Sequence, residues 1–134
     1  MSINSKCPCG SNRKYKLCCK PFHAGKLAPN ALTLMKSRYC AYALNEYKYI
    51  INTTHKDNVE FTEDKKTWQR SIQNFIKQTK FENLDIVDFS DDELQAFVTF
   101  RAKLSSNGED TSFMEKSRFI KENGRWYYID GTLI

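Results

Sequence analysis

The chain has 134 residues, 40% of them apolar, 13% aromatic and 28% charged, with five cysteines. That length accommodates one domain with an appendage, and nine Phe, seven Tyr and two Trp exclude a disordered chain, because aromatics supply the buried area that offsets ordering entropy. The net charge of +5 is unevenly spread: residues 1–45 carry eight basic side chains and no Asp or Glu, while the remainder carries 13 basic and all 16 acidic ones, a net of −3.

No apolar run reaches the roughly 20 residues of a membrane-spanning helix, and no period of a solenoid, coiled coil or collagen occurs. The opening MSINSKCPCG lacks the apolar stretch of a secretory signal, so a cytoplasmic location is expected. The basic end predicts an anionic partner, whether an acidic protein surface, a ribosome or RNA.

Four cysteines fall within thirteen residues, as Cys7-Pro8-Cys9 and Cys18-Cys19. In a reducing compartment clustered thiols bind metal more often than they form disulfides, and four thiolates suit one tetrahedral Zn(II) at about 2.3 Å per bond. Gly10-Ser11-Asn12 supplies a tight turn whose N–H groups could point at sulfur, and Lys14 and Lys16 offset the negative centre. A segment this short has no core of its own, so the metal supplies its folding free energy. Two alternatives stay open: a redox pair, and His23 in place of Cys19 as the fourth ligand. A closed four-ligand shell makes the zinc structural.

Pro21 to Pro29 reads as a linker. Leu32 to Leu44 then has helical spacing, with Asn30 as N-cap and Asn45 closing it; Glu46 to Thr54 is a second, short helix. Thr62-Glu63-Asp64 opens a third helix with Trp68, Ile72, Phe75 and Ile76 as its buried stripe. After Lys80 the period becomes two. Phe81 to Phe89 is a strand of mixed facing, and Asp91-Asp92 a turn. In the strand Leu94 to Leu104, Leu94, Ala96, Val98, Phe100, Ala102 and Leu104 face the core. SSNGED is a loop, Thr111 to Lys121 a strand, and Asn123-Gly124 a type I′ hairpin leading into Arg125 to Asp130. Helices followed by an antiparallel meander give an α+β layer with the helices on one sheet face.

The hairpin fixes a register in which Phe119 lies opposite Tyr128, Lys121 opposite Trp126 and Ser117 opposite Asp130, with Glu115 on the same face. Two carboxylates, a hydroxyl and aromatics on one face fit the floor of a pocket. Arg38, Tyr39 and Tyr42 of the first long helix would complete its lining, and Arg38 could equally pair with a buried carboxylate as a structural network. Cys40 reads as a buried small hydrophobe, and His55 as a lone loop histidine without a role.

CPCGSNRKYKLCC is similar to the SEC-C motif, the small zinc-binding tail of the preprotein-translocase ATPase, with Cys7, Cys9, Cys18 and Cys19 at its four ligand positions. PFHAG, LMKSRYCAYALNEYKYIINTTH and EKSRFIKENGRWYYIDG resemble the YchJ-like family of bacterial proteins; residues 56–95 match in layout alone. The resemblance implies a nuclear-transport-factor-2-like (cystatin-like) α+β fold over residues 26–134, behind a SEC-C module over residues 1–25. Some relatives carry a second SEC-C motif, whereas this sequence holds one, so one structural zinc is expected. SEC-C tails elsewhere bind a chaperone or ribosomal surfaces. That implies a non-catalytic adaptor whose basic residues Arg13, Lys14, Lys16 and Lys20 dock onto an anionic protein or ribosomal partner.

The rival reading is a small enzyme or ligand-binding protein whose cavity is lined by Arg38, Tyr39, Tyr42, Glu115, Ser117, Phe119, Trp126, Tyr128 and Asp130, with Asp130 or Glu115 as general base and Arg38 as anion holder. Direct nucleic-acid binding is a third, weakened by the poor interleaving of aromatics with the basic residues.

Overall fold

The computed structural model describes residues 5–134; residues 1–4, the start of the expected 1–25 module, lie outside the described residues. A 3₁₀ turn (Tyr15–Leu17) and a short helix α1 (Lys20–His23) precede three further helices, α2 (Ala31–Leu44), α3 (Tyr47–Asn52) and α4 (Lys65–Gln78). Five strands follow: β1 (Lys80–Asp91), β2 (Gln95–Ser106), β3 (Glu109–Asp110), β4 (Phe113–Glu122) and β5 (Arg125–Leu133). The sheet is antiparallel in the order β1-β2-β4-β5, with the two-residue β3 paired to the end of β2. No helix among the described residues is long and apolar enough to cross a membrane.

The expected linker overlaps α1, which takes up its first three residues. Pro21 sits in its first turn, where an N–H has no intrahelical partner in any case, so proline starts this helix instead of blocking it. α2 begins where the Asn30 side chain accepts the Thr33 N–H at 2.8 Å, and it ends at Asn45 in the left-handed region (φ 57°). Asn30→Ala removes that cap and is expected to cost about 1 kcal/mol, seen as a lower urea midpoint at unchanged slope.

α2 is buried around its whole circumference, as a helix must be when it packs on more than one side. Leu34, Met35 and Tyr39 meet the sheet through Val98, Phe100, Leu104 and Phe119. Ala41 joins Ile50, Ile51, Trp68 and Ile72 of α3 and α4, and Cys40 joins the cysteines of the N-terminal segment. Of the expected α4 stripe Trp68 and Ile72 are buried, whereas Phe75 is exposed.

The mixed facing of β1 has a specific cause. Its register against β2 slips at Glu82 and again at Val87, so Phe81, Leu84, Ile86 and Phe89 fall opposite the core-facing Leu104, Ala102, Phe100 and Val98. Each bulge inserts one residue and resets the alternation, which turns a spacing of two into three. Leu94, expected in the core, is exposed: the Asp92 carboxylate accepts the Leu94 and Gln95 N–H groups at 2.9 and 2.8 Å and holds that segment in a turn. Within SSNGED, Asn107 (φ 53°) and Gly108 (φ 80°) form a tight turn that allows β3 to pair back onto Ser105 and Ser106.

The Asn123-Gly124 hairpin has the expected partners as far as Phe119 and Tyr128, and then the register shifts. Ile129 is the additional residue. Asp130 therefore lies opposite Arg118, and Gly131 takes the place opposite Ser117. The cause lies outside the hairpin. Tyr128 N–H donates to Thr53 O (2.9 Å), His55 N–H to Tyr128 O (2.8 Å) and Asn58 Nδ2 to Ile129 O (2.8 Å), so the segment after α3 grips β5 at the bulge. His55, read as a lone loop residue, is buried there, with Nε2 donating to Glu122 Oε2 (2.6 Å) and Nδ1 accepting the Asp57 N–H (3.0 Å).

Candidate functional site

Two sites share α2 as a common wall. The first is the cysteine cluster. Cys7 N–H donates to Arg13 O (2.8 Å) and Tyr15 N–H to Ser5 O (2.9 Å), which closes a small loop over the turn at Gly10 (φ 85°) and Asn12 (φ 68°). The 3₁₀ turn then brings Cys18 and Cys19 back, so that the sulfurs of Cys7, Cys9, Cys18 and Cys19 all lie within 4.8 Å of one another. Four sulfurs around one tetrahedral zinc would sit about 3.8 Å apart, given a 2.3 Å bond, so the donor set fits a metal ion of that kind. The chemistry agrees. The Cys7 thiol is held far below its usual value by hydrogen bonds from Cys19, then Cys40 and Cys9, while Cys19, bonded to Cys40 and Cys7, is driven far up. Four thiolates this close repel one another, and a bound metal cation would relieve that repulsion.

Two neighbours refine the centre. The Ser11 hydroxyl, not a backbone N–H of the turn, lies 3.1 Å from Cys18 Sγ. Cys40 Sγ, from the middle of α2, lies 3.5 Å from Cys7 Sγ; it is buried, as expected of a small hydrophobe, but against the clustered cysteines. His23 does not approach as a ligand: Nδ1 accepts from the Tyr15 hydroxyl (2.7 Å) and Nε2 donates to Ser37 O (2.9 Å), which pins the cysteine segment onto α2. Arg13, Lys14, Lys16 and Lys20 are all exposed around this centre, and Leu17 among them is 59% exposed. Arg13 Nη2 also donates to Leu17 O (2.5 Å), closing the 3₁₀ turn.

The second site is a cavity of about 680 Å³ between α2, α4 and the sheet. Arg38, Tyr39, Tyr42, Glu115, Ser117, Phe119 and Tyr128 line it, together with Trp68, Ile72 and Phe75 of α4, and with Phe81, Phe100 and Phe113 of the sheet. The α4 residues were not foreseen, because no local pattern tells which surface a helix closes. On the floor, Glu115 Oε2 accepts from the Ser117 hydroxyl (2.5 Å) and the Tyr128 hydroxyl (3.2 Å). The Glu115 carboxylate lies over Gly131, where a Cβ would collide with it. Burial pushes the Tyr128 phenol up, and the Glu115 charge adds to this. Tyr39 Oη is buried with no hydrogen-bond partner among the described residues, and burial pushes its phenol up to about 12.

Two expected members are elsewhere. The Ile129 bulge puts Asp130 on the opposite face, in a two-pronged ion pair with Arg118 (3.0 and 2.6 Å), so it can be neither a base in this cavity nor a partner of Arg38. Trp126 is buried in the main core and borders a separate, smaller cavity with His23 and Tyr49. Arg38 pairs with no carboxylate among the described residues. Its Nη1 donates to Ile50 O (3.1 Å), Thr53 Oγ1 (2.8 Å) and Thr54 Oγ1 (3.1 Å), and its guanidinium lies 4.8 Å from the centre of the Tyr128 ring.

Comparison with known proteins places this arrangement. A family model described as "YchJ, middle NTF2-like domain" matches residues 30–131, and the SEC-C motif matches residues 4–21. The solution structure of a SEC-C motif-containing protein from Rhodopseudomonas palustris is similar at 29% identity and a TM-score of 0.80, over 97% of this chain and 99% of that one. A crystal structure of a SEC-C motif-containing protein from Psychrobacter arcticus is similar at 25% identity and a TM-score of 0.81, over 100% of this chain and 86% of that one. A putative Ca/calmodulin-dependent kinase II association domain from Exiguobacterium sibiricum shares the fold alone, at 13% identity and a TM-score of 0.55, over 81% of this chain and 95% of that one. The chain belongs to the YchJ-like family: an NTF2-like domain preceded by a SEC-C motif whose four cysteines are placed to bind a metal ion.

Proposed function

We propose that this protein is a non-catalytic, zinc-containing adaptor of the cytoplasm. Residues 1–25 form the docking module and residues 26–134 the domain that carries it. One structural zinc holds Cys7, Cys9, Cys18 and Cys19 and gives the module a fixed shape; the metal supplies binding and folding free energy there and no open coordination position for a reaction.

The observation that carries the reading is the surface of that module. Arg13, Lys14, Lys16 and Lys20 are exposed within one short stretch, with the exposed Leu17 between them and no acidic residue before Glu46. A cationic surface with an apolar centre suits an acidic protein face, the ribosomal periphery included, because charge steers the encounter and the apolar contact is released from water on docking. His23 and Cys40 attach the module to α2, the helix that also walls the cavity.

The test is co-purification at low and raised salt, with metal analysis of the gently purified protein. The expected result is about one zinc per chain, and partners that are lost at raised salt. The double variant Lys14→Glu, Lys16→Glu should retain its zinc and lose those partners, since two rim charges reverse without touching sulfur. Partners that survive both salt and charge reversal would refute the docking surface. Zinc well below one equivalent would refute the metal.

A further inference from the structure

The cavity behind α2 contains a cation that forms no ion pair among the described residues. Arg38 is 8% exposed, yet all three of its hydrogen bonds leave from Nη1; among the described residues neither Nε nor Nη2 has a partner, and no ion pair includes it. Those two nitrogens are not sealed in protein either, because the fully buried side-chain polar atom without a partner is Tyr39 Oη. Arg38 lines the cavity, and the Nε–Nη2 edge, with two parallel N–H donors, is the side of its guanidinium left without a protein partner among the described residues. A guanidinium cannot discharge itself, and one kept from water without an anion carries a desolvation cost that a bound anion relieves.

We propose that the cavity binds a small monocarboxylic acid with an apolar, ring-sized body, its carboxylate forked onto Nε and Nη2 of Arg38 and its body among Trp68, Ile72, Phe81 and Phe100. The site lies apart from the docking module and does not depend on the adaptor reading. Each part of the choice has its own ground. The volume of about 680 Å³ falls in the range of small-molecule sites, and the walls are mainly aromatic and aliphatic. Arg38 is the one Lys or Arg in the lining, beside Glu60 and Glu115, so a dianion such as a phosphate monoester would be short of positive charge. A cation is disfavoured as well: Glu115 already receives the Ser117 and Tyr128 hydroxyls, and Glu60 is exposed at the rim, where water serves it. Two lining groups have unused hydrogen-bonding capacity, the Arg38 cation and the Tyr39 hydroxyl, and the two planar donors of the cation match a carboxylate best.

Three probes of equal shape separate the outcomes: 3-phenylpropanoate, 3-phenylpropanamide and 3-phenylpropylamine, titrated into the zinc-loaded full chain and followed by NMR chemical shifts and thermal melting. The acid is expected to bind saturably and raise the melting temperature, with the amide and the amine weaker by roughly tenfold or more. Arg38→Lys, which keeps the charge and loses the fork, should weaken the acid by about tenfold. Because Arg38 also anchors the α3 end, a second variant keeps the test sound. Ser71→Trp lies on the exposed side of α4 at the cavity rim and should block the acid while leaving the circular dichroism unchanged. Amine binding equal to or tighter than acid binding, acid binding undiminished in Ser71→Trp, or no saturable binding of the acid each overturns the proposal.

Discussion

Chelating the metal from the zinc-loaded protein is expected to release residues 5–19 from α2 and to lower the melting temperature of the whole chain. Besides the metal, the segment is held to α2 by the packing of Cys7, Cys9 and Cys19 on Cys40 and, at its C-terminal end alone, by the Tyr15–His23–Ser37 hydrogen bonds; its backbone bonds and the Arg13 contact join it only to itself. Zinc sites of this kind contribute of order 10 kcal/mol of apparent binding free energy, and without it a coreless loop cannot offset its ordering entropy. The loss should spread into α2, because Cys40 is buried only while the cysteine loop covers it. Hydrogen exchange is the suitable readout. Amides of 5–19 and of the outer turns of α2 should lose protection, while those of β2 and β4 keep theirs. Acid should act in the same direction as the chelator, since thiolate ligands must take up protons as the metal leaves. Protection of residues 5–19 that persists in metal-free protein would show that the cysteines hold this loop by packing alone.

What the sequence discloses and what it conceals divide along one physical line. Signals carried by a few neighbouring residues are legible. Asn30 and Asn45 bound α2, Asn123-Gly124 sets the last hairpin, the alternation from Ala96 to Leu104 lays down β2, and CPC with CC brings four sulfurs together. Features that arise where distant segments meet are not. The two bulges of β1 exist because its apolar residues must meet those of β2, and one strand read alone shows only an irregular spacing. The Ile129 bulge exists because Thr53, His55 and Asn58 grip β5 from over 70 residues away, so a register extrapolated from the turn places Asp130 on the wrong face. Cys40 beside Cys7, and α4 closing the cavity, are tertiary facts of the same sort.

Arg38→Ala and Asp130→Asn are expected to part company in thermal melts, although the sequence suggests them as partners. Arg38 is buried, and its loss strands the acceptor side of Thr53 and Thr54, removes a donor from Ile50 O, ends the stacking on Tyr128 and opens a void beside Tyr42. Together these should cost roughly 2–4 kcal/mol, a fall of about 8–15 °C for a chain of this size. Asp130 lies on the opposite face with Arg118, exposed beside a half-buried partner, so solvent screens the pair and the substitution should cost less than about 1 kcal/mol. The pH dependence has a definite sign. The Arg118 hydrogen bond holds the Asp130 carboxyl below its usual value, so its small contribution is present above about pH 4 and is lost as pH falls through the depressed folded value. Melts of both variants at neutral pH and near pH 3 would check this. The Arg38 deficit should persist at both, because no carboxylate among the described residues stands behind it, while the Asp130 deficit should shrink in acid. Equal falls for the two variants would mean that Asp130 reaches the cavity after all, and that the Ile129 bulge is not held in solution.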